Sequence, residues 1–84
     1  MFSVDEITSH EGTRSIKAIV MECWATTYGN VTVDLDRSQF FRQKRAFEER
    51  IEVEANKFPE KLKPTFYASA FTFATEKMLF HFEV

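Results

Sequence analysis

The sequence is poor in cysteine, glycine and proline, and each shortage excludes a class of protein. Cys23 is the only cysteine, so no disulfide can form within the chain, and we expect a reducing, cytoplasmic location. Two glycines cannot supply a phosphate-binding loop or a dinucleotide fingerprint. The N-terminus lacks the basic flank and apolar run of a signal peptide, and no apolar run approaches the roughly 18 residues of a membrane span. We therefore expect a soluble protein with no membrane association.

A surplus of positive charge is also lacking. The formal net charge is −2, whereas a nucleic-acid-binding domain usually carries a clear basic excess. Basic residues outnumber acidic ones only between residues 36 and 63. Any surface that attracts an anionic partner is therefore expected in this middle segment.

Apolar residues, by contrast, are abundant. They make up 44% of the 84 residues, and ten of them are phenylalanine, which is enough for one core without disulfides or metals. A chain of this length has room for one domain only, here residues 1–84. Because small domains bury a modest share of their surface, association with a partner or a second copy is a reasonable expectation.

The segment 15–35 fits two periodicities. Six of its residues have the spacing of one helix face, with Gly29 as a stop: Ile16, Ile19, Val20, Cys23, Trp24 and Thr27. Alternatively, Gly29-Asn30 forms the turn of a hairpin that sets Trp24 opposite Leu35. Aromatic and β-branched residues favour strands and stabilise cross-strand pairs. We favour the hairpin.

An amphipathic helix is predicted over residues 37–58. Asp36 or Ser38 can cap it, and Gln39, three residues after Asp36, completes a capping box. One apolar stripe follows at helical spacing: Phe40, Phe47, Ile51, Ala55 and Phe58. Pro59 ends the pattern.

The C-terminal segment is predicted to form a second hairpin, at about residues 65–84. Phe71 and Phe73 can face Phe82 and Phe80 across the pair, although the alanine-rich stretch from Thr65 could instead begin as a helix. With hairpins at 15–35 and 65–84 and one helix between them, we predict an α+β fold. In it, the helix packs on one face of an antiparallel sheet, so that the sheet and the helix form two layers.

No combination of residues predicts catalysis, a metal or a cofactor. Cys23 lies in an apolar stretch, where a thiol usually acts as a small hydrophobic group. His10 and His81 are far apart in sequence, and one cysteine with two histidines does not make a zinc site. We expect that the protein is not an enzyme.

Charge along the predicted helix is ordered in an unusual way. Basic residues fill its first half and glutamates its second, opposite to what the helix dipole favours, so helix stability does not explain the order. The last strand, with its alternating apolar residues, could also pair with another chain, including a second copy in a homodimer. The predicted partner-binding residues are therefore Arg42, Lys44, Arg45, Glu49, His81 and Glu83.

We accordingly predict a small non-enzymatic module for protein–protein interaction, a modulator or inhibitor of a larger enzyme or complex. In size and composition it resembles compact accessory proteins of phages and other mobile elements, a generic likeness that rests on no motif. The alternative is a nucleic-acid-binding module that places Arg37, Arg42, Lys44 and Arg45 on phosphates, with Tyr67 or Trp24 stacking on bases.

Overall fold

A computed structural model describes residues 14–30 and 34–78, which form α-helices joined by short turns. In chain order they are α1 (Ile16–Tyr28), α2 (Arg37–Arg42), α3 (Lys44–Ala55), a 3-10 turn (Glu60–Leu62) and α4 (Lys63–Lys77). No strand is present in these two ranges, so the predicted α+β sandwich is wrong. The described part of the chain is mainly helical.

Helix α1 replaces the hairpin predicted for residues 15–35. Ser15 caps it, because its side-chain oxygen accepts a hydrogen bond from the Ala18 N–H at 3.1 Å. Gly29 ends the helix at φ 101°, a conformation that glycine adopts without strain, and its N–H donates to Ala25 O. The six residues at helical spacing are all buried, which makes the helix alternative correct. Residues 31–33 of the predicted second strand lie outside the described ranges.

The helix predicted over 37–58 is confirmed as helical but divided into two. The capping box exists: Asp36 Oδ1 accepts from the Gln39 N–H at 2.8 Å, and Asp36 N–H donates to Gln39 Oε1 at 3.2 Å. Gln43 interrupts the helix at φ −116°, between α2 and α3. Helix α3 ends at Ala55, and the following residues turn towards Pro59. All five residues of the predicted apolar stripe are buried.

Helix α4 replaces the first strand of the predicted C-terminal hairpin. Pro64 stands in its first turn, where the helix needs no N–H donor. Phe66, Ala70 and Ala74, at intervals of four, form its buried face. After α4, Met78 makes an isolated parallel bridge with Leu35, whose N–H donates to Lys77 O at 2.9 Å. Residues 79–84, the rest of the predicted last strand, lie outside the described ranges.

The helices meet around Trp24. Helix α1 contacts both α3 and α4, and α3 contacts α4. The Trp24 ring is fully buried, with its centroid 5.2 Å from that of Phe47 on α3 and 5.6 Å from that of Phe73 on α4. Its indole N–H has no hydrogen-bond acceptor among the described residues. Packing therefore holds this ring in place.

Tyr28 fixes the end of α1 to α2. Its hydroxyl donates to Phe40 O at 2.9 Å, and its ring lies 4.3 Å from that of Trp24. Burial, with a smaller effect from Glu48, raises the pKa of Tyr28 to about 12. The phenol is therefore a neutral donor over the whole physiological range.

Replacing this donor is expected to weaken the fold. Tyr28→Phe should lower the free energy of unfolding by about 1 kcal/mol, because Phe40 O then keeps only the Gln43 N–H, at 3.3 Å, as a donor. Urea denaturation followed by fluorescence of Trp24, the only tryptophan, measures the change. Tyr67→Phe, at an exposed ring, is the control and should change stability by less than about 0.5 kcal/mol. Equal stability of the two variants would contradict the assignment.

The raised pKa of Tyr28 also predicts an alkaline dependence of stability. Because the folded pKa is about 12 and the ordinary value is 10, folding favours the protonated phenol. This contribution is complete below pH 10 and is lost as the pH rises from 10 to 12. Denaturation at several pH values should show a steeper alkaline loss in wild type than in Tyr28→Phe. Parallel losses in both proteins would show that Tyr28 is not responsible.

Candidate partner-binding groove

An apolar groove of about 530 Å³ runs between α3 and α4, with α2 at one end. We call it the α3–α4 groove. Its buried lining residues form the floor: Phe40, Phe47, Ile51, Ala70, Ala74 and Met78. Its more exposed lining residues form the edges: Phe41, Lys44, Glu48, Glu52, Tyr67, Phe71 and Thr75. No side chain of the floor carries an ionisable group or a hydrogen-bond donor.

The groove follows from the small residues of α4. Ala70 and Ala74 are one turn apart on the side of α4 that faces α3, and a methyl group at each position leaves the space between the helices unfilled. A short connection joins α3 to α4, as expected for neighbouring helices that run in opposite directions. The larger side chains that α4 contributes to the lining, Tyr67 and Phe71, lie at the edge.

Exposed aromatic rings border this groove. Among the described residues, four large apolar side chains are exposed: Phe41, Val53, Tyr67 and Phe71. The three aromatic ones line the α3–α4 groove, and Phe71 is 66% exposed. Single exposed apolar residues are common on protein surfaces, but a cluster beside an apolar groove is typical of an interaction site.

The two edges of the groove differ in charge. On α3, Lys44, Glu48 and Glu52 stand at intervals of four residues, and Lys44 Nζ lies 2.7 Å from Glu48 Oε2. Glu52 has no ion-pair partner among the described residues. The edge formed by α4 is uncharged, and its Thr75 hydroxyl donates to Phe71 O. The groove therefore has one charged edge and one aromatic edge.

The structure brings one of the six predicted binding residues to this groove, namely Lys44. Arg42 is exposed at the end of α2. Arg45 and Glu49 are exposed and form an ion pair at 3.8 Å, but they do not line the groove. His81 and Glu83 lie outside the described ranges.

The aromatic edge of the groove is not among the binding residues predicted from the sequence. The predicted hairpin places Phe71 on the aromatic face of a sheet, and the nucleic-acid alternative gives Tyr67 a role in base stacking. A helical pattern was present, because Phe66, Ala70 and Ala74 share one face and leave Phe71 beside it. Reading residues 65–77 with a period of 3.6 would have indicated an exposed phenylalanine.

Ion pairs within α3 explain part of its charge order. Lys44–Glu48 and Arg45–Glu49 form at 2.7 Å and 3.8 Å, although each places the base first. Arg50 instead reaches α1 and donates to Thr27 Oγ1 at 3.2 Å. The basic groups at the start of α3 thus have acidic neighbours, which reduces their attraction for phosphates.

A second cleft, of about 320 Å³, lies between α1 and α3. Its lining includes Glu22, Glu54, Arg50 and Arg14, and Arg14 forms an ion pair with Glu22. Cys23 is buried at its base. Burial raises the pKa of the thiol to about 11, and the negative charges of Glu54 and Glu22 add smaller contributions. Because the thiolate is the reactive form, this thiol is a poor nucleophile at neutral pH.

A third pocket, of about 390 Å³, is lined by Lys17 of α1 and by residues of α4 between Thr65 and Glu76. Within residues 14–30 and 34–78, no three metal-ligating side chains are grouped, and no helix is long and apolar enough to cross a membrane. Comparisons with protein-family models, curated proteins and solved structures found no match to this chain. Of these three pockets, the α3–α4 groove has the most apolar lining and the exposed aromatic rings.

The raised pKa of Cys23 predicts a slow thiol. At neutral pH the thiolate fraction should be about 100-fold below that of an ordinary cysteine, and burial should slow the reaction further. A chromogenic disulfide reagent should therefore react much faster in denaturant than with native protein. Native reaction at the rate of a free cysteine would contradict the raised pKa and the burial.

Proposed function

We propose that this protein is a non-enzymatic protein–protein interaction module that binds its partner through the α3–α4 groove. The observation that carries this proposal is the cluster of Phe41, Tyr67 and Phe71 at the edges of an apolar groove. Its biological role, as we propose it, is to modulate or inhibit a larger enzyme or complex.

The aromatic edge supplies the energy for such an interaction. Burying an exposed phenylalanine side chain is worth about 1.5–3 kcal/mol, so a partner that covers Phe41 and Phe71 gains a large share of a micromolar affinity. Aromatic residues are also enriched where interfaces are tightest. The charged residues at the opposite edge contribute mainly to orientation and partner choice.

A partner protein suits this groove better than a small polar substrate does. Small-molecule sites combine apolar walls with a few polar groups that converge on the ligand, whereas the polar side chains here stand at the edges. The buried, protonated Cys23 lies in the cleft between α1 and α3 and offers no nucleophile. These features support binding without chemistry.

The predicted basic residues retain a secondary role in this proposal. Lys44 lies on the edge of the groove, and Arg42 is exposed at the adjoining end of α2. Arg45 and Glu49 form an ion pair outside the groove. The nucleic-acid alternative is less well supported, because glutamates accompany Lys44 and Arg45.

Affinity capture with matched variants tests the proposal. Tagged wild type, Phe71→Ser and Val53→Ser should be incubated with lysate of the native host at low and high salt. Val53 is the control because it is also exposed and apolar but lines the cleft between α1 and α3. We expect wild type and Val53→Ser to retain the same protein at both salts, and Phe71→Ser to retain at least tenfold less.

Two results would contradict the proposal. A retained protein that binds Phe71→Ser and Phe41→Ser as well as wild type would exclude the α3–α4 groove as its binding site. Retention of nuclease-sensitive material alone, lost at high salt, would favour the nucleic-acid module instead. Circular dichroism of each variant checks that the helices are intact.

A further inference from the structure

We infer that the occupant of the α3–α4 groove is an amphipathic α-helix of the partner, with a basic residue on the edge that faces Glu52. This inference rests on the proposed function and specifies its partner. It depends on the length of the groove, the arrangement of its floor and the difference in charge between its edges.

The dimensions of the groove fit a helix. Its edges run from Lys44 to Glu52 on α3 and from Tyr67 to Thr75 on α4. Eight residues at 1.5 Å per residue give each edge a length of about 12 Å, or two helical turns. A partner helix of two to three turns can therefore contact the whole floor.

The floor has the arrangement that receives helix side chains. Phe47 and Ile51 on α3 are one turn apart, as are Ala70 and Ala74 on α4. Rows of residues at intervals of four form ridges, and the ridges of another helix fit between them. No residue of α1 lines this groove, so a partner helix would cover the side of the α3–α4 pair that α1 leaves open. A partner that adds a β-strand would need an open sheet edge, which residues 14–30 and 34–78 do not offer.

The charges select the polar edge of the partner helix. Lys44 is bound to Glu48, whereas Glu52 has no ion-pair partner among the described residues. A lysine or arginine beside the apolar face of the partner helix can pair with Glu52. Its other edge meets Tyr67 and Phe71, where an uncharged or aromatic residue fits better. The expected partner helix is therefore apolar on one face and basic on one side of that face.

Selection from a displayed library of random peptides tests this inference. Peptides of about 16 residues are long enough to form helices when bound. We expect sequences enriched on wild type to share apolar residues at i, i+4 and i+7, with lysine or arginine on one edge. A selected peptide should bind Phe71→Ser and Glu52→Lys at least tenfold more weakly, by fluorescence anisotropy.

Charge exchange and a matched control make this test specific. Changing the selected basic residue of the peptide to glutamate should restore its affinity for Glu52→Lys. Glu76→Lys reverses an exposed charge on α4 outside the groove and should bind the original peptide like wild type. Equal binding to Glu52→Lys and wild type, or enriched sequences without helical spacing, would overturn the inference.

Failure of the inference can be distinguished from failure of the proposed function. If the captured protein depends on Phe71 but contacts the groove through an extended segment, mapped by crosslinking, only the helix is wrong. If capture does not depend on Phe71, both are wrong. Wild type that sediments as a dimer and Phe71→Ser that sediments as a monomer would assign the groove to a second copy and overturn the helical partner.

Discussion

The contact on which the described structure depends is the enclosure of Trp24. Its ring meets Tyr28 on the same helix and one phenylalanine from each of the other three α-helices: Phe40, Phe47 and Phe73. Aromatic side chains bury about 150–250 Å² each, so a few of them fill the core of a chain of 84 residues. Each helix is held in its place because it contributes a ring to the same cluster.

This concentration of rings has a consequence on the far side of α3 and α4. Phe73 turns towards Trp24, whereas Phe71, two residues earlier, is directed to the surface. Alanines occupy the positions between α3 and α4, and the space beside them remains open as the α3–α4 groove. The core and the proposed binding site are thus produced by one distribution of large and small residues along α4.

Ion pairs contribute less to the stability of this arrangement than the packing of the aromatic core does. The ion pairs along α3 are exposed, and exposed pairs contribute little to stability. Arg50 has a structural role because it connects α3 to Thr27 on α1. Glu52 differs from both, since it stands at the groove edge without an ion-pair partner among the described residues. Specificity for a partner is the effect that such a charge can have.

The sequence by itself determined the local features of this protein. Asp36 and Gln39 make a capping box because the two groups that need each other are three residues apart. Helical periodicity is likewise visible in the stripe from Phe40 to Phe58 and in the segment of α1, although strand-favouring residues made a hairpin the preferred prediction for that segment.

Only the tertiary structure decided between helix and strand at 15–28 and 65–77. Short apolar segments satisfy both periods, and burial against other elements selects one. The groove also required the tertiary structure, because its two edges are more than ten residues apart in the chain and become neighbours only when α3 packs on α4.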